Sequence, residues 1–589
     1  MDMAFILRAA GAQAASGDLA GARRLLHDAI ARQPGAPELH RALGQVCQRA
    51  GDAAEAAGAF ERAVALAPGV PGLRAELARA LTQAERYADA AGHLVALHAG
   101  GPANLDLAAE AARVCLIADR PGDAWRVLRE TGQARPDDPQ VVVRHTDLAI
   151  RAGEVDQAVG VAREGVARFP ESSDALLQLC VALAFADGVD ADEHAALHRR
   201  LGEMFRDAVP PTGVAFTNAP DPDRPLHVAF WSTDFRTHAC AYFLRALLAN
   251  LDPARVRVHC YALNEPDEST GFFSSRWVYR AMGDLGVEEI REIARADGID
   301  ALVDCAGWSR GHRMDAIAHP IAPVQAAWLG YSNTCGVPGV HYRFIDAVTD
   351  PPGAERWATE RLVRLDACYL AYEPAPFAAR GAAWTPLAKD PGAPFTFGCF
   401  NRTEKIQHAT CRAWAAILAQ TPGAALLLND HRAPGARGAV ARRFRAAGGD
   451  PARLRWTPFV QAPGSHLAAH RHVDLALDPF PYNGTTTTCE ALVTGTPVLA
   501  LAGEVHRARV GASLLAACGL HDLVTPDVES YVRAGVALAH DPARLHAIRG
   551  VVRERFFASP VSDFPGFARR FEAALRACWR AWCETQRGG

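Results

Sequence analysis

Four consecutive threonines, Thr485 to Thr488, follow the turn pair Asn483 and Gly484 in the segment DPFPYNGTTTTCEALVTGTPVLAL. The segment predicts a strand, a sharp turn and a helix. Free N–H groups and the positive dipole end of that helix attract anions, and the hydroxyls add hydrogen-bond donors. One threonine suffices for an N-cap, so four in a row favour a diphosphate site. Glu490, within the first helical turn, could accept hydrogen bonds from the sugar hydroxyls of a bound nucleotide.

A second candidate is Lys405, in the loop FNRTEKIQHATCRAW directly after the apolar run FTFGCF. We expect it at the start of a helix, where the dipole disfavours a cation, so its placement suggests that it meets an anion. A departing diphosphate gathers negative charge in the transition state and is the natural candidate. The alternative is an exposed surface lysine. Asn401, in the same loop, is a further candidate contact to a bound donor.

Two histidines and a glycine-rich turn complete the candidates. His238, in WSTDFRTHACAYFLRALL, could act as a general base or orient an acceptor hydroxyl. His466, in VQAPGSHLAAHRHVD, lies in a loop that could stack on a nucleotide base. The alternative for both is a structural role, which is the commoner role of a lone histidine. The turn WLGYSNTCGVPGVHYRF is expected to face a cleft with Gly330, Asn333, Thr334 and Gly336.

Parallel sheets must position these loops. From Pro225 the chain alternates strand-like and helical stretches, with strand-like runs LHVAFWS, VRVHCYAL, ALVDCAG, VQAAWLGY and YRFIDAVTD. A Pro/Ala/Gly-rich linker at about 373 to 394 precedes the second series, FTFGCF, AALLLND, LRWTPF, VDLALDPF and PVLAL. The pattern predicts two doubly wound lobes with ligands bound at the carboxyl ends of their strands.

The amino-terminal third is a helical repeat with a period of 34 residues. Alanine recurs at Ala22, Ala56, Ala90, Ala124 and Ala158, and proline recurs at Pro34, Pro68, Pro102, Pro136 and Pro170. The alanine lets paired helices approach closely, and the proline ends the second helix because it cannot donate the i to i−4 hydrogen bond. The period is typical of tetratricopeptide repeats, about five of them, whose concave face usually holds a peptide or partner protein. An array used only for dimerisation or spacing is the alternative.

Composition excludes several function classes. With 62 Lys+Arg against 66 Asp+Glu among 589 residues, the sequence offers no electrostatic footprint for nucleic acid or an anionic membrane. It shows neither a membrane-spanning run nor a signal-peptide pattern, so we expect a cytoplasmic protein. The 14 cysteines form no CxxC pair and are expected to be free buried thiols. No GxSxG, HExxH or GxxxxGK[ST] motif and no metal-spaced Cys/His cluster is present.

The repeats together with STDFRTHACAYF, PVQAAWLGYSNTCG, GCFNRTEKI and YNGTTTTCEALVTGTPVLALAGEVHRARVGASLL resemble glycosyltransferase family 41, the O-GlcNAc transferase and SPINDLY proteins. The resemblance covers nearly the whole chain. It implies a GT-B unit of two Rossmann-like lobes that transfers a sugar from a nucleotide diphosphate sugar to Ser or Thr of proteins. Transfer would invert the anomeric centre without a metal or other cofactor, and the repeats would recruit the acceptor protein.

The resemblance also implies roles for individual residues. Lys405 matches the essential lysine at the donor diphosphate, and His238 the histidine of the first-lobe DF-x-x-H motif. His466 matches the histidine near the donor base, and Glu490 the acidic residue at the ribose. Thr486 and Thr487 match the phosphate-binding threonine pair, with Thr485, Thr488, Asn483, Gly484, Asn401 and Gly330 as further donor-binding candidates.

One departure bears on the donor. O-GlcNAc transferases generally carry a histidine before the threonine pair, where this chain has Thr485. The stretch GTTTTCEAL followed by AGEVH is more similar to the SPINDLY branch, whose members use GDP-fucose, although Ser332 replaces a proline common to both branches. GDP-fucose is therefore favoured over UDP-GlcNAc.

The predicted organisation is an α-superhelix of tetratricopeptide repeats over 1–185, a connecting helix over 186–224, a first lobe over 225–372 and the linker 373–394. A nucleotide-sugar-binding lobe over 395–555 and a carboxyl-terminal helix over 556–589 complete it. The expected partners are acceptor proteins on the concave face, a nucleotide sugar and, through the repeats, a second copy of the chain. Two other function classes stay open: a non-catalytic scaffold whose lobes only sense a nucleotide, and a transferase acting on a lipid, glycan or small molecule.

Overall fold

The computed structural model describes residues 2–207, 216–374, 393–429, 435–457 and 465–587, with the backbone alone at Pro71, Ser465 and His466. The chain divides into two compact units, Met1–Val161 with Ala433–Ala439, and Ala162–Arg432 with Val440–Gly589. Most of the predicted linker 373–394 lies outside the described residues. No helix in the described ranges is long and apolar enough to cross a membrane.

The first unit is an array of helix pairs, which confirms the predicted repeat. From α1 to α9 each helix packs against the next along the chain. The five pairs are α1 (Met3–Ala15) with α2 (Leu19–Arg32), α3 (Pro37–Arg49) with α4 (Ala53–Leu66), α5 (Pro71–Gln83) with α6 (Tyr87–Ala99), α7 (Leu105–Ile117) with α8 (Pro121–Ala134), and α9 (Pro139–Arg151) with α10 (Val155–Arg168), the last running past the end of the unit.

The 34-residue lattice has a visible packing cause. The recurring alanines Ala22, Ala56, Ala90, Ala124 and Ala158 are all fully buried, where a larger side chain would push paired helices apart. The turn between the helices of each pair contains one residue with positive φ, at Gly17, Gly51, Glu85, Asp119 and Gly153. Two of the five pairs therefore place a side chain in the left-handed region that favours glycine.

After the end of α10, the second unit continues with two helices, α11 (Ser173–Phe185) and α12 (Ala191–Asp207), which pack against each other. α11 starts 34 residues after α9 and so continues the repeat lattice, yet it lies in the second unit. The sequence-based boundary at residue 185 separated these two helices, whereas the structure keeps them together.

The first lobe is a seven-stranded sheet in the order β3-β2-β1-β4-β5-β6-β7, and all its strand pairs are parallel. The central strand β1 is a continuous apolar run because both faces of the sheet are covered. The elements are β1 (Leu226–Ser232), α13 (Ala241–Leu248), β2 (Val256–Ala262), α14 (Gly271–Ser274), β3 (Val278–Ala281), α15 (Val287–Ala296), β4 (Ala301–Asp304), α16 (Met314–Ile317), β5 (Val324–Ala327), β6 (Tyr342–Asp346) and β7 (Arg361–Leu365).

The second lobe repeats the arrangement with six parallel strands in the order β10-β9-β8-β11-β12-β13. Two such lobes after the helical array confirm the predicted fold class. The elements are β8 (Thr396–Cys399), α17 (His408–Gln420), β9 (Ala425–Asn429), α18 (Ala436–Ala446), β10 (Leu454–Thr457), α19 (Ser465–Ala469), β11 (Leu475–Leu477), α20 (Thr486–Val493), β12 (Val498–Leu501), α21 (Val510–Ala517), β13 (Val524–Thr525), α22 (Val528–His540) and α23 (Pro542–Ala558).

The chain then returns to the first lobe through α24 (Phe564–Arg587). The ring of Phe571 in this helix packs against two aromatic rings of the first lobe. Its centroid lies 4.8 Å from the centroid of Phe344 and 5.2 Å from that of Trp328. The predicted boundary at 555/556 therefore falls inside α23. The helix that completes the first lobe begins eight residues after the predicted start, at Phe564.

Candidate functional site

The two loops predicted to bind a diphosphate start side by side because of the strand order. In the second lobe the order reverses between β8 and β11, which pair in parallel with Ala476 opposite Gly398. The chain leaves β8 towards Lys405 and leaves β11 towards the threonine run, so both loops emerge at this switch point. A cavity there is lined in part by Asn401, Asp478 and Thr487.

Lys405 reaches directly into the second loop. Its Nζ donates a hydrogen bond to the carbonyl of Asn483 at 2.7 Å and lies 4.2 Å from the centroid of the Tyr482 ring. Burial lowers the pKa of Lys405, and the neighbouring Asp478 carboxyl opposes that shift. Lys405 closes a 3-10 turn, Thr403–Lys405, that precedes α17; it was expected at the start of the helix itself.

Lys405 is also unusual because lysine is rare in this sequence. The sequence contains two lysines, Lys389 and Lys405, and arginine occupies every other Lys+Arg position. An ammonium is a compact charge with three donors, whereas a guanidinium is a planar fork. A chain that uses arginine almost everywhere else therefore places an ammonium beside Asn483, which is consistent with a site that a guanidinium does not fit.

The threonine run opens α20 as predicted, but its members are not equivalent. Thr487 donates to the Asn401 side chain at 3.1 Å, and Thr488 donates to the Gly484 carbonyl at 3.2 Å. Thr485, at the N-cap position, makes no side-chain cap. Among the described residues, the hydroxyls of Thr485 and Thr486 have no hydrogen-bond partner. These two half-buried hydroxyls at the helix tip are thus available to a ligand.

The turn before the helix is held by Asp478, which sequence reasoning did not single out. Its Oδ1 accepts the Gly484 N–H at 2.7 Å, and burial raises its pKa. A Cβ at Gly484 would lie 2.3 Å from the Thr487 hydroxyl, so any other residue here would displace the threonine side chains of the site. The signal in the sequence was position alone, since Asp478 is the first residue after β11.

Glu490 lies on α20 and is buried, with 7% of its surface exposed. Its charge, after burial, contributes to raising the pKa values of Tyr242 and Tyr372, which belong to the first lobe. The carboxylate therefore lies close to the first lobe. Its contact with a ribose stays a prediction.

His238 lies in the loop after β1, at the corresponding switch point of the first lobe. Its Nδ1 lies 3.1 Å from a carboxylate oxygen of the buried Asp234 and 3.2 Å from the amide nitrogen of Cys240. The ring itself is exposed. Nδ1 accepts from the Cys240 N–H in one tautomer and donates to Asp234 in the other, and in the second tautomer Nε2 is free to act as a general base.

The same three residues form the one group in the described ranges whose ligand atoms are close enough to hold a metal ion: Asp234, His238 and Cys240. The sequence predicted no metal-spaced cluster, because the D-x3-H-x-C spacing matches no standard motif. Burial, followed by the Asp234 charge, raises the pKa of the Cys240 thiol, so it carries its proton and is a poor metal ligand as it stands.

The glycine-rich turn after β5 packs inward, whereas it was expected to face a cleft. A Cβ at Gly330 would lie 2.0 Å from the Cys305 carbonyl, and one at Gly336 would lie 1.9 Å from the His198 carbonyl on α12. The Asn333 amide lies 3.3 Å from the His194 ring, also on α12. The structure gives Gly330 a packing role, and its contact with a donor stays a prediction.

Of two further predicted residues, Asn401 and His466, the structure describes the side chain of the first only. Asn401 is buried and accepts the Thr487 hydroxyl, which places it between the two diphosphate loops. The side chain of His466 lies outside the described part of the chain, so its contact with a nucleotide base stays a prediction.

Known proteins match both parts of the chain. The family model described as Glycosyl transferase family 41 matches residues 210–373 and 389–570, which hold the two lobes. A tetratricopeptide repeat model matches residues 37–70, the pair α3 and α4. The other four helix pairs of the first unit follow the same 34-residue lattice as this pair, so they are repeats of the same kind.

Curated relatives are similar over most of this chain. The probable UDP-N-acetylglucosamine–peptide N-acetylglucosaminyltransferase SPINDLY of Arabidopsis thaliana is 33% identical over 431 residues, 71% of this chain and 46% of the relative. The probable UDP-N-acetylglucosamine–peptide N-acetylglucosaminyltransferase SEC, also of Arabidopsis thaliana, is 27% identical over 377 residues, which are 61% of this chain and 38% of the relative. The chain spans about half the length of the curated relatives it matches.

A solved structure is similar along the whole length. It is a mutant of the Thermobaculum terrenum O-GlcNAc transferase, with a TM-score of 0.69 and 27% identity over 99% of this chain and 98% of that chain. The order of helical array and two parallel lobes is thus shared. Since the family model covers more than half of the sequence, this chain belongs to glycosyl transferase family 41.

Proposed function

We propose that the protein is an inverting protein O-glycosyltransferase that moves a sugar from a nucleotide diphosphate sugar to Ser or Thr hydroxyls. The observation that carries this proposal is the meeting of the Lys405 ammonium with the loop that leads into the α20 N-terminus. That arrangement offers a cation, helix N–H groups and two threonine hydroxyls to one diphosphate.

In the proposed reaction the acceptor oxygen attacks the anomeric carbon as the bond from that carbon to the diphosphate oxygen breaks. Lys405 and the amides at the start of α20 stabilise the charge on the departing diphosphate, so the step needs no metal. His238, oriented by Asp234 at 3.1 Å, accepts the proton of the acceptor hydroxyl. The helical array of the first unit recruits the acceptor protein, as arrays of this kind hold extended partners.

GDP-fucose is the donor we favour, because Thr485 stands where O-GlcNAc transferases generally carry a histidine. UDP-GlcNAc is the second candidate. It is favoured by the names of the relatives, which describe them as UDP-N-acetylglucosamine-dependent.

The test is transfer of label. Purified protein is incubated with a lysate and either GDP-fucose or UDP-GlcNAc carrying an isotopic label, and label released from protein by β-elimination is measured. Label from GDP-fucose supports the proposal, and label from UDP-GlcNAc alone supports the second donor. Nucleotide binding in a thermal-shift assay without label on any protein would instead indicate a nucleotide-sensing scaffold. Label on a lipid, a free glycan or a small molecule would contradict a protein acceptor.

A further inference from the structure

A series of three hydrogen bonds joins Lys405 to the end of α11. The Lys405 ammonium donates to the Asn483 carbonyl at 2.7 Å, and the Asn483 N–H donates to the Arg507 carbonyl at 2.9 Å. The Nε of Arg507 then donates to the Ala184 carbonyl at 3.0 Å. Arg507 is thus attached at both ends, by its backbone to the donor loop and by its side chain to α11.

The Arg507 guanidinium is an unusual buried charge. The residue is 4% exposed, and in the ranges that the structure describes it forms no ion pair with a carboxylate. Burial lowers its pKa. What stabilises the charge is the carbonyl end of α11, because the last carbonyls of a helix lack intrahelical partners and carry the negative end of the dipole.

A parallel contact leads from the next residue of α11 to the same ammonium. The Phe185 ring stacks on the Tyr482 ring, with centroids 5.2 Å apart and planes at 19°. The Lys405 ammonium lies 4.2 Å from the centroid of the same tyrosine ring. Ala184 is therefore linked to Lys405 through two residues, and the next residue of α11, Phe185, is linked to it through one, Tyr482.

The segment after α11 also holds the helix that follows Lys405. The carboxylate of Asp187 accepts the Ala409 N–H, in the first turn of α17, at 2.7 Å. The end of α11 and the residues after it thus contact the helix that follows Lys405 and, through Phe185, the ring that faces its ammonium.

We infer that Arg507 is a positioning residue: by fixing the Asn483 carbonyl against α11, it holds the Lys405 ammonium where the departing diphosphate forms. This inference rests on the proposed function for the identity of the anion. The role rests on these two contacts, the Nε bond to the Ala184 carbonyl and the bond from the Asn483 N–H to the Arg507 carbonyl, rather than on a contact of the guanidinium with the donor. A displacement of about 1 Å at a group that meets the transition state lowers the rate by up to about a hundredfold.

Because the sequence contains two lysines, the surroundings of Lys405 can be followed by NMR without an activity assay. Reductive methylation with ¹³C-formaldehyde labels Lys389, Lys405 and the α-amino group, and a K389R variant assigns the signals. The pKa of methylated Lys405 is then followed by NMR. The charged neighbours that face it, Asp478, Glu404 and Arg402, are the same in every variant.

The variants are R507A, R507K and a matched control, R549A. Arg549 also has a pKa lowered by burial and donates to backbone carbonyls of the second lobe, those of Val473 and Asp474, but it has no part in the contacts of Lys405. For R507A we expect the Lys405 pKa to rise towards that of a solvated lysine and kcat to fall at least about tenfold with a smaller change in KM. R507K, which keeps a donor for Ala184, is expected to restore part of kcat.

A Lys405 pKa and a kcat that change no more in R507A than in R549A would overturn the inference. If R507A does not fold, F185L tests the parallel contact through Tyr482 with the same two measurements and the same criterion. If the wild-type protein transfers no sugar from either donor, the proposed function fails, while the NMR titration still decides whether Arg507 positions Lys405.

Discussion

Lys405 carries its ammonium group 4.2 Å from the centre of the Tyr482 ring, and the carbonyl that accepts its hydrogen bond belongs to the next residue, Asn483. The cation is therefore held by a ring face and a neutral oxygen, neither of which cancels its charge. These two contacts do not neutralise the ammonium, which also faces the Asp478 carboxyl, and our proposal is that an anion at the start of α20 meets it.

Replacing Lys405 by alanine is expected to lower kcat by about 10² to 10³, the usual loss when one group that stabilises a developing anion is removed. K405R should be nearly as inactive, since a planar guanidinium cannot occupy the ammonium position. Steady-state kinetics with the active donor check both variants. K389R is the control and should match the wild type; an active K405R would contradict the argument from ammonium shape.

Activity should decrease at alkaline pH. Burial lowers the pKa of Lys405 below its ordinary value of 10.5, so its ammonium loses the proton at a lower pH than an exposed lysine does. We expect kcat/KM to fall as the pH rises through that lowered pKa. A pH series of kcat/KM measures this, and a profile that stays flat to the range of an ordinary lysine would show that the charge of Lys405 is not needed.

His238→Ala should lower kcat by about 10² to 10⁴, the range for loss of a general base. D234N, which removes the carboxylate 3.1 Å from Nδ1, should lower kcat less, because the ring stays in place with weaker orientation. C240S is the control, since the Cys240 contact to the ring is through its backbone amide. Equal activities of H238A and C240S would exclude His238 as the base.

The repeat array should gain stability from a single glycine. Glu85 has a φ of 58° at the position that is glycine in three of the five helix pairs. Glu85→Gly relieves a left-handed side chain that costs about 1 to 2 kcal/mol, part of which is offset by the greater entropy of glycine in the unfolded chain. Thermal unfolding should show a higher Tm for E85G and a lower Tm for G51E, the converse change at the equivalent position of another helix pair. Equal or opposite shifts would contradict the view that this turn position favours glycine.

Much of the site could be predicted from the sequence because it depends on local pattern. The turn at Asn483 and Gly484 and the helix after it follow from residue type, and the loops at Lys405 and Thr485 each follow an apolar run. In a parallel sheet every such loop emerges at the same edge, which is where ligands were predicted to bind.

What could not be predicted depends on contacts between distant segments. The edge strands β3, β7 and β13 are short or half-exposed, so they lack the apolar run that revealed the central strands. The role of Asp478 depends on the hydrogen bond that its carboxylate accepts from the Gly484 N–H. The role of Arg507 depends on the hydrogen bond that it donates to the Ala184 carbonyl of α11. No spacing rule in the sequence predicts either contact. The inward packing of Gly330 depends likewise on a carbonyl of another loop, that of Cys305.

The return of α24 to the first lobe makes that lobe discontinuous in the sequence. Its sheet is built from residues that precede the linker, but Phe571, which packs against Trp328 and Phe344, is synthesised only after the whole second lobe. A nascent chain on the ribosome therefore carries an uncovered aromatic surface until translation has passed that helix, and chaperone contact with this surface is the expected consequence.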